Sequence, residues 1–288
     1  MSKLTVACVQ TNSKRLPEDN IRDISPMIRE AKARGADLIT TPEIVGMFEP
    51  KRTLALQTAK PEATHEVLAA FRALAAELST WLLIGSISIK LSAEKLSNCS
   101  YLIGPDGKIV ARYAKIHMFD VQVGDGSTYR ESSTYEPGKA AVLADTPWGP
   151  LGMTICYDIR FPHLYRSLAQ AGAGMITAPA AFTKVTGQAH WHVLQRARAI
   201  ENGCYIISAA QTGEHAEGRK TYGHSVIIAP WGDVLADAGD APGVITAEID
   251  LAAVDKARGK IPSLTHDRAF TPPVLQTDTI AAASANGD

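Results

Sequence analysis

Hydrophobic positions along the chain switch between two periods in a repeating order. Short apolar runs such as TVACV and WLLIGSI alternate with longer stretches whose apolar residues recur every three or four positions. Continuous short runs predict buried strands, and 3.6-residue periodicity predicts amphipathic helices. The first half therefore reads as strand Leu4–Val9, helix Asn20–Arg34 with Pro26 as a kink point, strand Asp37–Thr40, helix Glu62–Ser79 and strand Trp81–Ile87. SYLIG and KIVARY then flank the turn Pro105-Asp106-Gly107, which predicts a hairpin.

The second half repeats that order: strand Gly149–Ile155, helix Pro162–Ala171, strand Met175–Ala178, helix His190–Asn202, strand Cys204–Ala210 and another hairpin. The two hairpins align by residue, since S-YLIGPDGKIV from Ser100 and S-VIIAPWGDVL from Ser225 share Ser, Pro and Gly at the same offsets. Such a match indicates duplication of one βαβαβ-hairpin unit. Each unit predicts a mixed sheet with helices on one face. TVACV, GMTIC and CYIISAA are apolar throughout, so the opposite face must be covered too, and the other unit's sheet is the available cover. The expected fold is α/β, a pseudo-symmetric αββα four-layer sandwich of two mixed β-sheets forming one domain. Residues 1–270 make that domain, and 271–288 a C-terminal arm ending in the polar AAASANGD. Gly124–Gly138 predicts a long polar loop between the halves.

Composition narrows the function classes. The 29 basic and 30 acidic residues nearly cancel and form no run of like charge, so neither nucleic acid nor a membrane surface is an expected partner. No apolar stretch approaches a membrane span, and the N-terminus has no signal-peptide pattern, which places the protein in the cytoplasm. The four cysteines are scattered without a C-x-x-C pair, against a disulfide framework, a structural zinc site or a thiol-redox pair.

In open α/β sheets, ligands sit beyond the carboxyl ends of parallel strands. Three reactive side chains are predicted there: Glu43 in TTPEIVG, Lys115 in YAKIHMFD and Cys156 in MTICYDIRFP. Pro162 suits the first turn of the following helix, whose positive end would favour thiolate at Cys156. Glu43 then has the role of general base, and Lys115 with the Tyr157 N–H the role of oxyanion donors. No histidine stands in a nucleophile-and-base pattern with Cys156. His190 and His192 are two apart and point to different helix faces, against a metal pair. No Gly-rich phosphate loop occurs.

TPE at Glu43, YAKIH at Lys115 and CYDIRFP at Cys156 resemble, in order and spacing, the three catalytic motifs of the nitrilase, or carbon–nitrogen hydrolase, superfamily. A fourth likeness is Glu131 in ESSTYEPG, where the superfamily carries a second glutamate beside the lysine. The resemblance runs from Lys3 to about Phe270. It implies the αββα fold, a homodimer or higher homo-oligomer, no metal or organic cofactor, and cysteine-dependent hydrolysis of a linear amide through a thioester. The stretch from TAPAAFTKVTG to YGHSVIIAPWG is most similar to the branch of amidases acting on deaminated glutathione, which yield 2-oxoglutarate and cysteinylglycine. The sister branch, the ω-amidases, takes 2-oxoglutaramate and releases ammonia. TPE stands where Leu-Pro-Glu or Phe-Pro-Glu is commoner, and Asp267 interrupts a His-Arg-Arg run. A 2-oxoglutaryl group carries a carboxylate, for which Arg160 is the expected cation, with Phe119, Tyr157, Phe182 and Thr183 at the pocket rim. Arg196, Arg198 and Glu201 are spaced for ion pairing along one helix.

Overall fold

A computed structural model describes residues 3–123 and 128–273. The first half runs β1 (Lys3–Gln10), α1 (Pro17–Ala33), β2 (Leu38–Thr40), α2 (Arg52–Thr58), α3 (Glu66–Leu78), β3 (Trp81–Lys90), β4 (Leu96–Ile103) and β5 (Ile109–Ala114). Between the halves lie two paired short strands, β6 (Asp120–Gln122) and β7 (Thr128–Arg130), and then β8 (Val142–Ala144). The second half continues with β9 (Leu151–Met153), α4 (Pro162–Gln170), β10 (Met175–Thr177), α5 (Lys184–Asn202), β11 (Tyr205–Ser208) and the pair β12 (Thr212–Glu214) and β13 (Lys220–Tyr222). It closes with β14 (Val226–Ile228), β15 (Val234–Asp237), β16 (Gly243–Asp250) and α6 (Ala252–Lys260).

Two six-stranded mixed sheets result, ordered β16-β1-β2-β3-β4-β5 and β15-β14-β11-β10-β9-β8. In each, three parallel strands from one half form the centre and its hairpin extends one edge antiparallel. The sixth strand is exchanged between the halves. β8, which follows the first half, pairs with β9, and β16, which follows the second, pairs with β1 along its whole length from Lys3 opposite Asp250 to Gln10 opposite Gly243.

Side-chain alternation explains why the central strands are apolar throughout. Val6, Cys8, Leu83 and Leu102 join Met153, Met175, Ile207 and Ile227 in an interior shared by the two sheets. Their neighbours Ala7, Val9, Leu82 and Ile84 face Ile24 and Ile28 of α1 and Phe71 of α3. On the other outer face, Leu164 and Leu168 of α4 and Trp191 and Ala199 of α5 cover the second sheet. Each such large side chain contributes about 1.5–3 kcal/mol on burial. The order is helices, sheet, sheet, helices in a single domain, as the patterning predicts.

Several boundaries differ from expectation. α1 starts at Pro17, which occupies its first turn, and continues through Pro26. The predicted helix 62–79 splits at His65, whose backbone is extended. α5 starts at Lys184 rather than His190, because Gly187 is helical here: a Cβ on it would lie 2.3 Å from the Tyr222 ring, so the glycine admits close packing of β13. Part of the loop expected at 124–138 is structured, with β7 at 128–130 and a 3-10 turn at Glu131–Ser133; residues 124–127 lie outside the described residues. So does most of the expected 271–288 arm. Before it, Asp267 accepts hydrogen bonds from Arg166 and Gln170 of α4 at 2.5 Å each. No helix among the described residues is long and apolar enough to cross a membrane.

Candidate active site

The chain leaves β2 through Thr41, Pro42 and Glu43 in a turn that depends on its neighbour β3. Any Cβ at Gly85 would lie 1.9 Å from the Thr41 carbonyl oxygen, so only glycine lets the strands approach there. The Ser86 hydroxyl accepts from the Ile44 N–H at 2.8 Å, and Ile44 adopts a left-handed φ of 48°. The turn thereby aims Glu43 inward, leaving it 4 % exposed. Lys115 follows β5, with its N–H bonded to the Asn98 carbonyl at 2.9 Å, and is 2 % exposed.

Cys156 begins a 3-10 turn, Cys156–Arg160, with φ of 49°, a conformation that costs on the order of 1–3 kcal/mol at a non-glycine residue. Asp158 holds that turn. Its carboxylate, wholly buried, accepts from the Ile155 N–H at 2.9 Å and the Tyr113 hydroxyl at 2.7 Å through one oxygen. The other oxygen takes the His117 N–H at 3.1 Å and meets His117 Nδ1 at 2.7 Å. Tyr113 and His117 flank Lys115, so one carboxylate ties the cysteine turn to the lysine segment. Buried Arg198 adds a hydrogen bond from Nε to the Ile159 carbonyl at 2.8 Å, besides its ion pair with Glu201 at 2.8 Å.

These three turns converge. Lys115 Nζ donates to Glu43 Oε1 at 2.8 Å and to Glu131 Oε1 and Oε2 at 2.9 and 2.8 Å. Asn98 Nδ2 donates to Glu43 at 3.0 Å and Glu131 at 3.3 Å, while backbone N–H groups of Ala181 and Phe119 donate to Glu43 Oε2 at 2.8 Å and Glu131 Oε2 at 2.7 Å. Burial disfavours the Lys115 ammonium, yet Glu131 and Glu43 hold it charged well above the ordinary lysine range. Burial likewise works against charge on Glu43, but Lys115 prevails and keeps the carboxyl below its ordinary value. Cys156 goes the other way. Burial first, then the Glu43 carboxylate, push its thiol well above the usual range, and Lys115 offsets only part of this. The thiolate expected at rest is therefore overturned: a whole 3-10 turn separates Cys156 from the first residue of α4, and Glu43 faces the sulfur instead. A neutral thiol beside an ionised, lysine-bound carboxylate is set up for proton transfer during attack rather than before it.

The four side chains open into a cavity of about 800 Å³. Phe119, Tyr157, Phe182 and Thr183 line it; Thr183 also caps α5, its hydroxyl accepting from the Thr186 N–H at 3.3 Å. Phe119 packs edge-on against Tyr157 with ring centroids 5.1 Å apart. Arg160 does not line the cavity. It lies behind the wall, over the Phe182 ring at 5.4 Å and 3.2 Å from His190 Nδ1. Asn98, Tyr113 and His117 escaped the sequence reading. The signal available for Asn98 was a carboxamide in a strand otherwise filled with buried residues. Among the described residues, one group could hold a metal ion, His192, His224 and Asp237, with ligand atoms within 4.8 Å of one another; none of them lines the cavity, and His190 is not among them.

Residues 5–259 match the sequence family described as carbon-nitrogen hydrolase. A deaminated glutathione amidase of Synechocystis is 41% identical over 271 residues, spanning 92% of this chain and 98% of that protein. The omega-amidase of Mus musculus is 35% identical over 269 residues, 93% of this chain and 96% of that protein. Among solved structures, the C. elegans NitFhit protein superposes with a TM-score of 0.86 at 35% identity, covering 93% of this chain and 66% of that one. A Saccharomyces cerevisiae member of branch 10 of the nitrilase superfamily superposes with a TM-score of 0.83 at 29% identity, covering 93% and 97%.

Proposed function

Because the chain belongs to the carbon–nitrogen hydrolase family and is thus a hydrolase of carbon–nitrogen bonds in non-peptide amides, we propose that it hydrolyses deaminated glutathione to 2-oxoglutarate and cysteinylglycine. The observation that carries the reading is the buried Glu43–Lys115–Glu131 cluster beside a strained cysteine turn, opening into a cavity large enough for a tripeptide-sized molecule. The 41% likeness to an amidase of that name over nearly the whole of both chains supports the substrate.

In the proposed mechanism the Cys156 sulfur attacks the amide carbon as Glu43 takes the thiol proton. The carbonyl oxygen becomes an oxyanion held by the Lys115 ammonium and the Tyr157 N–H. Glu43 passes the proton to the departing nitrogen, the C–N bond breaks, and a thioester remains. Water, deprotonated by Glu43, then attacks the thioester, and the proton returns to sulfur. Glu131 keeps Lys115 charged and in place. Tyr157, Arg160, Phe119, Phe182 and Thr183 are assigned to substrate binding, Arg160 by a shift of its guanidinium from behind Phe182 toward the 2-oxo acid.

We further assign the protein to the cytoplasm as a homodimer or higher homo-oligomer. Val193 and Ile200, seven residues apart and so on one face of α5, are 69 % and 53 % exposed, an apolar stripe suited to a second copy. The alternative substrate is 2-oxoglutaramate, favoured by the 35% likeness to an omega-amidase across 96% of its length. Product analysis with each substrate, using Cys156→Ala as control, separates the two: faster cysteinylglycine release supports the first, and faster ammonia release overturns it.

A further inference from the structure

Deaminated glutathione carries a carboxylate at each end, one on the 2-oxo acid and one on the glycine of the leaving group. The chemical centre cannot bind either, because its single cation, Lys115, is already held by two carboxylates. A second carboxylate requires a cation elsewhere on the cavity wall.

Arg219 meets that requirement. It lines the cavity on the connection between β12 and β13, with its guanidinium 5.1 Å from the centroids of both the Phe48 and Tyr129 rings, themselves lining residues. Two aromatic faces fix the plane of the guanidinium while leaving its N–H edge for a ligand. Among the described residues no carboxylate pairs with it: Nε is buried with no hydrogen-bond partner, and Nη2 reaches only the Ala181 carbonyl at 3.4 Å. Arg130 and Lys184 also line the cavity but are solvent-exposed, and other charged groups nearby are engaged. Arg52 donates to the carbonyls of Ser133 and Glu94, Lys220 pairs with Glu214 at 3.5 Å, and Glu217 is bound to Arg15 and Lys51. A half-buried guanidinium on the cavity wall with no carboxylate partner among the described residues is an unmet demand for an anion.

Resting on the amidase reading above, we infer that Arg219 binds the terminal carboxylate of the leaving group and so selects amides of an acidic amine over the primary amide. It acts on binding, not on the bond that breaks. Loss of one charged hydrogen-bond partner corresponds to roughly tenfold to a hundredfold in affinity.

The test compares wild type, Arg219→Gln and Arg219→Lys on three substrates: deaminated glutathione, its analogue with cysteamine replacing cysteinylglycine, and 2-oxoglutaramate. On deaminated glutathione, Arg219→Gln raises KM at least tenfold with kcat little changed, and Arg219→Lys recovers part of the loss. The cysteamine analogue already lacks the carboxylate, so wild type handles it about as poorly as Arg219→Gln handles deaminated glutathione, and the variant adds no further loss. Equal losses on all three substrates would assign Arg219 to the 2-oxo acid end or to the fold and overturn the inference. Wild type inactive on deaminated glutathione but active on 2-oxoglutaramate would instead overturn the substrate reading itself.

Discussion

Replacing Glu43 by Gln tests the proton arrangement at its most exposed point, because it should make the cysteine easier to ionise while stopping the reaction. Glu43 accepts three hydrogen bonds, from Lys115 and Asn98 on one oxygen and from the Ala181 N–H on the other. An amide here turns an NH₂ toward a donor whichever way it flips, leaving a buried donor unmet at about 1–3 kcal/mol. For a chain of this size that lowers Tm by roughly 2–10 °C. Loss of the base itself reduces kcat by about 10²–10⁴. The thiol responds in the opposite sense, since Glu43's charge is the second cause, after burial, of its raised position. A unit charge at about 4 Å and an effective dielectric near 20 is worth about 4 kcal/mol. Discounting by half or more for the polar amide that replaces it, the thiolate fraction at fixed pH rises on the order of tenfold to a hundredfold. The assay is ultraviolet thiolate absorbance against pH for wild type and Glu43→Gln, each differenced against its Cys156→Ala counterpart, with hydrolysis measured in parallel. If Cys156 ionises at the same or a higher pH in Glu43→Gln, or if hydrolysis stays within tenfold of wild type, the coupling argued here is wrong.

Asp158→Asn removes the charge from a carboxylate that meets four donor atoms, so it should destabilise the protein by about 2–4 kcal/mol and lower kcat with it; a thermal shift below about 2 °C with unchanged activity would contradict its anchoring role. Asn98→Ala strips one donor from both glutamates, and kcat should fall roughly tenfold to a hundredfold at nearly constant KM; a change confined to KM would place Asn98 with substrate instead. The His215 ring, stacked 3.8 Å from Phe48, is pushed down from 6.5 to about 4 by burial. The unfolded chain thus takes up a proton below pH 6.5 that the folded chain refuses until about 4. Stability is full above 6.5 and lost as pH falls through that window, by about 3 kcal/mol in all. His215→Gln should flatten this limb of a Tm-against-pH plot, and parallel curves for the two proteins would sink the explanation.

The elements that were legible from sequence are those whose burial writes a period into the chain. β1, β3 and α3 carry long apolar patterns, and Glu43, Lys115 and Cys156 stand just past strand ends, where sheet topology puts ligands. What escaped notice depends on contacts between distant segments. β8 is three residues long, and β16, with one side half-exposed, is defined mainly by the β1 ladder that receives it. Gly187 reads as a helix breaker until Tyr222 is seen in the space of its missing side chain. The protonation state of Cys156 failed for a related reason. Sequence position points to the helix that follows, whereas the outcome is set first by burial and then by the charge of Glu43, more than a hundred residues earlier, neither of which is visible to local reading.

The exchange of β16 into the first sheet also bears on how the polypeptide is made. Synthesis delivers β1 well before its antiparallel neighbour, so until β16 is made the eight backbone positions of Lys3–Gln10 that it will cover form an open, apolar edge. A nascent chain arrested anywhere before Gly243 retains that edge and is prone to pair with another chain's strand. Emergence of β16 from the ribosome, rather than completion of either repeat, is the event that closes this edge.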